Sequence, residues 1–100
     1  MAAGNGEPMN VSEATLTKVF PVQKEHTYDG VLTRFVAIGH GKTICISQIE
    51  DQPLYIDIYG LEVNSVEDLQ SSNPEKSVQL AQVMPTGDAL YRLAADFLGK

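Results

Sequence analysis

A single cysteine, no tryptophan and only seven basic side chains among 100 residues set the first limits on this chain. One cysteine, Cys45, excludes an internal disulfide and fits a reducing compartment. Thirteen acids against seven bases leave a net charge of −6. Such a chain repels phosphate backbones, so direct binding to nucleic acid is not expected. Its acids are dispersed rather than massed in rows, which argues against a DNA mimic. No apolar run approaches the roughly 18 residues of a membrane span, so no membrane partner is expected. The opening MAAGNGEPMN has neither a basic n-region nor an apolar h-region, so no secretory signal is expected and the chain reads as cytoplasmic. Residues 1–12 are rich in small and turn-forming types and read as a flexible tail, with 13–100 as one domain.

What is present reads as a globular fold, with 43% apolar and 20% charged residues. The β-branched run at 14–23 reads as a strand, and Pro21 places it on a sheet edge or at a bulge. The polar stretch 24–30 ends in the turn signal Asp29-Gly30. Three strand-like runs come next, at 31–38, 42–49 and 53–61, separated by Gly39-His40-Gly41 and Glu50-Asp51-Gln52. Short loops between strands make antiparallel hairpins, so 31–61 reads as a meander. Ser65 with Asp68 resembles a capping box opening a short helix, which Asn73-Pro74 ends. Residues 77–84 alternate loosely and read as a strand, with a helix open as the alternative. The last segment is an amphipathic helix: Asp88 suits its cap, and Leu90, Leu93, Ala94, Phe97 and Leu98 form one apolar stripe before Gly99. The order β-β-β-β-α-β-α defines an α+β domain, a mainly antiparallel sheet with the C-terminal helix packed on one face.

The stretch Ile38-Gly39-His40-Gly41-Lys42-Thr43 ends like a phosphate-binding loop. Such a loop needs a glycine five residues before the Gly-Lys pair and a helix after it. Here that earlier position holds Val36, and the residues after Thr43 are β-branched and alternating. The stretch reads as a hairpin turn, with Gly39 and Gly41 supplying positive φ. Cys45 with His26 or His40 is the one conceivable nucleophile–base pair. His40 is too far along the chain from Cys45 for direct contact, and Cys45 reads as a small buried residue. No His/Cys spacing suggests a metal, and no cofactor is implied.

If both central hairpins close with two-residue loops, Leu32, Val36 and Ile38 share a face with Cys45, Ile49, Leu54, Ile56 and Ile58. The final helix would cover that face, with Arg34 as its polar exception. The other face would carry Phe35, Ile44, Ile46, Tyr55, Asp57 and Tyr59. Aromatics around a central acid suit a protein interface. The alternative is that the short helix or residues 14–23 cover this face. A three-residue loop at Gly39-His40-Gly41 would swap the faces of 31–38, while Tyr55, Asp57 and Tyr59 stay together within one strand.

These features point to a non-catalytic protein-binding module: a small inhibitor, an immunity-type antidote or a phage-type anti-defence protein. Its expected partner is another protein, a basic one by charge. The candidate contact residues are Tyr55, Asp57, Tyr59, Phe35 and Ile46. Two alternatives stay open: a self-associating accessory subunit that buries the same face in a homodimer, and a small-ligand or thiol-dependent enzyme domain built on Cys45.

Overall fold

A computed structural model describes residues 16–65, 67–85 and 87–99; the expected tail, residues 1–12, lies outside them. The elements run β1 (Lys18–Thr27), β2 (Gly30–Gly39), β3 (Lys42–Ile49), β4 (Leu54–Tyr59), α1 (Glu67–Gln70), β5 (Lys76–Leu80) and α2 (Asp88–Leu98). All five strands form one antiparallel sheet in the order β1-β2-β3-β4-β5. This is the expected α+β order, and α2 packs on one face of the sheet, over β2 and β3. The 77–84 region resolves as a strand over its first part.

Each turn has a local cause. Pro21 lies on an edge strand, where the β1–β2 register shifts between Phe20 and Gln23. Both conditions remove the demand for its missing N–H. Beyond the shift β1 continues to Thr27, past the expected end of the strand at residue 23, and residues 24–27 are all exposed. Gly39 pairs with Lys42, so His40 and Gly41 alone form the β2–β3 turn. Their φ values are 53° and 74°, the two positive angles that a type I′ hairpin needs. The expectation of positive φ therefore holds at Gly41 but moves from Gly39 to His40.

The β3–β4 connection departs from expectation and changes the faces. Ser47 pairs with Tyr55 and Cys45 with Asp57, which centres the turn on Asp51. The number of residues between paired positions is thus odd, and the turn has odd parity. Glu50 takes φ 46°, donates its N–H to Val31 O at 3.0 Å, and Gln52 N–H closes on Ile49 O at 2.8 Å. Directly paired residues share a face, so an odd turn moves every β4 side chain to the opposite side from an even one. Leu54, Ile56 and Ile58 consequently join Phe35, Ala37, Ile44 and Ile46 in one core, sealed by Leu90, Ala94 and Leu98 of α2. Val36, Ile38 and Cys45 lie on the other face, and so does Arg34.

The helix ends differ in detail from the expected caps. The residue before α2 is Gly87 at φ 54°, so Asp88 lies inside the first turn, where its carboxylate meets the positive end of the dipole. Gly99 is right-handed and donates to Ala95 O at 2.9 Å. At α1 the Asp68 carboxylate accepts the N–H of Asn64 at 3.1 Å, one residue earlier than the expected Ser65.

The face assignment has a measurable consequence. Ile46 is fully buried against α2 and Tyr55 is 45% exposed. By urea denaturation, Ile46→Ala is expected to cost about 2–5 kcal/mol, and Tyr55→Ala no more than about 1 kcal/mol. Equal costs would contradict the register.

Candidate functional site: a half-covered sheet face

The face away from α2 is covered at one end only. The chain leaving β4 turns across it before reaching α1, and Thr43 anchors that crossing. The Thr43 hydroxyl, with no exposed surface, donates to Leu61 O at 2.7 Å and accepts from Val63 N–H at 3.2 Å. Gly41 N–H donates to the Glu62 carboxylate at 2.9 Å. The Gly-Lys-Thr stretch that imitates a phosphate loop is therefore the mooring of this strap. The amide that an anion would need already holds a carboxylate. Beneath the strap Val36, Ile38, Cys45, Tyr59, Val63 and Leu69 form a second small core, with Phe20 at its margin. Lys18 closes that end, donating to Asn64 O at 2.8 Å while lying 4.9 Å above the Phe20 ring.

Beyond the strap the same face is open. Leu32 pairs with Ile49 and Arg34 with Ser47, which in turn pairs with Tyr55. Leu32, Ile49, Ser47 and Asp57 are half-buried, whereas Tyr55 stands out. A shallow groove of about 290 Å³ runs between Leu32, Arg34, Ser47 and Asp57 toward Leu69. Arg34 lies 3.3 Å from Glu25 of the neighbouring strand. Asp57 accepts a hydrogen bond from Ser77 Oγ at 2.6 Å, which ties it to β5.

The five candidate contact residues are thus divided. Tyr55 and Asp57 share the open half-face. Tyr59 lies on the same side but beneath the strap, 7% exposed. Phe35 and Ile46 belong to the α2 side, at 3% and 0% exposure, and Phe35 makes an edge contact with Tyr91 of α2 at 5.9 Å between ring centroids. The expected grouping failed at the β3–β4 turn. The residues missed by it are Leu32, Ser47, Ile49 and Arg34, which the odd turn brings beside Tyr55.

Cys45 and the two histidines do not meet. His26 pairs with Val31, on the α2 side of the sheet, whereas Cys45 pairs with Val36 on the other. His40 sits in the exposed turn. Burial pushes the Cys45 thiol up to about 11 from the usual 9.0; Arg34 pulls it down, and Asp57 and Glu25 push it further up. Burial, then Cys45 and Asp57, likewise raise the Tyr59 phenol above its usual 10.0. Among the described residues, no three His, Cys, Asp or Glu side chains converge as a metal set. No helix among them is long and apolar enough to cross a membrane. Compared with protein-family models, curated proteins and solved structures, the chain matches none.

Because the folded state holds the Cys45 proton more tightly than the unfolded chain, stability contributed by the neutral thiol is full below pH 9. It is lost as pH rises through about 11. Thiolate absorbance should therefore titrate near pH 11 in the folded protein. Reaction with an aromatic disulfide reagent at pH 7.5–8 should be slow until urea unfolds the chain. Rapid reaction of the folded protein would contradict the buried placement.

Proposed function

We propose that the protein is a non-catalytic binding module that docks another protein on the open half of this sheet face. In that role it would act as a small inhibitor, immunity-type antidote or anti-defence protein, by occupying a surface its partner needs. The observation that carries this reading is Tyr55. It is 45% exposed in mid-sheet, between the fully buried Leu54 and Ile56. A tyrosine in that position offers a large, stiff contact area with one polar tip, at low entropic cost. Half-buried Leu32 and Ile49 extend the apolar floor around it. The net charge of −6 favours a basic partner and speeds its approach. The same charge opposes a second copy of this chain, which ranks the homodimer behind a heteromeric complex. A cytoplasmic setting is part of the proposal and rests on the lone, unpaired cysteine.

The test is differential capture from the source cell. The immobilised protein should retain a partner that Tyr55→Ala loses by about tenfold or more, as expected for an aromatic anchor. Val83→Ala, a control at an exposed apolar residue elsewhere, should retain it. Both variants should stay folded, with melting temperatures within about 8 °C of wild type. Tyr59→Ala, in contrast, should destabilise the fold by about 3 kcal/mol. A partner that survives Tyr55→Ala unchanged would refute docking at this face.

A further inference from the structure

The open half-face ends in a concavity between the β1–β2 and β3–β4 turns, with a volume of about 630 Å³. Its floor is Ile49 and the exposed ring of Tyr55, and its walls are Asp29, Glu50, Asp51 and Gln52. Three acidic residues thus share the lining with an aromatic and an aliphatic one, and no basic residue is among the described residues that line it. The walls are held in place. Gln48 Nε2 donates to Gln52 O at 2.7 Å, and the other end of that buried amide accepts Met84 N–H at 2.9 Å. The Glu50 N–H is likewise tied to Val31 O.

We propose that this concavity seats an arginine-bearing loop of the basic partner protein, an inference that rests on the docking role. A guanidinium is planar and weakly hydrated, so it stacks on a phenol ring and presents several N–H donors to carboxylates at the same time. An ammonium satisfies the charge but not the stacking, which separates arginine from lysine. Phosphate-bearing partners, whether nucleic acid or a membrane surface, are repelled by the same three carboxylates. An apolar loop would leave those carboxylates without compensation for lost water. The floor on the sheet face supplies contact area, and the rim supplies the choice of side chain.

Dye-labelled hexa-arginine and hexa-lysine peptides test this by fluorescence anisotropy at 0.15 M salt. Hexa-arginine should bind more tightly than hexa-lysine, and Tyr55→Ala should narrow that difference. Asp29→Asn/Asp51→Asn should weaken hexa-arginine by about tenfold, the loss of two charged contacts at a ring-floored site. Glu67→Gln/Glu75→Gln removes the same charge at exposed positions elsewhere and should change binding by less than about twofold. Melting temperatures of all variants establish that the fold is retained. Equal losses in the two double variants would overturn the proposal in favour of diffuse attraction, as would no preference for arginine. If the captured partner depends on Tyr55 but not on Asp29 and Asp51, the docking face stands and the arginine seat falls.

Discussion

One turn organises this molecule. Glu50 adopts φ 46° in a β3–β4 turn whose pairing is centred on Asp51, and that odd parity decides which side of the sheet each β4 residue faces. With that parity Leu54, Ile56 and Ile58 stack with Ile44 and Ile46 under α2. An even turn would place Tyr55, Asp57 and Tyr59 against the helix stripe instead. It would bury a carboxylate among leucines and expose three aliphatic side chains. The cost of that alternative, several kcal/mol for an unpaired buried charge alone, makes the observed register the dominant one.

A second constraint comes from the connection between β4 and β5. These strands are neighbours in the sheet, yet the chain between them is long and must lie on one face. Thr43 holds it there through a hydroxyl that both donates and accepts. The strap shields Cys45 and Tyr59 and raises the pKa of both. It stops short of Tyr55, so one sheet face has a sealed half and an open half. The open half is where we propose docking, because exposed aromatic area on a sheet is suited to a partner.

Much of the architecture was legible from residue types. β-branched runs broken by turn residues marked the strands. Pro21 marked an edge or a bulge and occupies both. The apolar spacing from Leu90 to Leu98 marked α2 and its buried stripe. The turn at His40-Gly41 was legible through its glycine. The turn at Glu50-Asp51-Gln52 was located too, but its parity was not legible, because no glycine or asparagine announces its left-handed residue and side-chain type does not reveal loop parity. That one ambiguity misplaced Phe35 and Ile46, whose aromatic and aliphatic character suits an interface and a core equally well. Tyr55 and Asp57 stayed on one face as expected because they lie two apart on a single strand, a relation that no register slip alters.

Solvent paramagnetic relaxation with a neutral gadolinium chelate, read on assigned side-chain NMR signals, tests the divided face most directly. The account predicts strong enhancement at the Tyr55 ring, with Phe35, Ile46 and Tyr59 protected. Strong enhancement at Phe35 and Ile46 together with Tyr55 would contradict it, because those three side chains would then share one open surface.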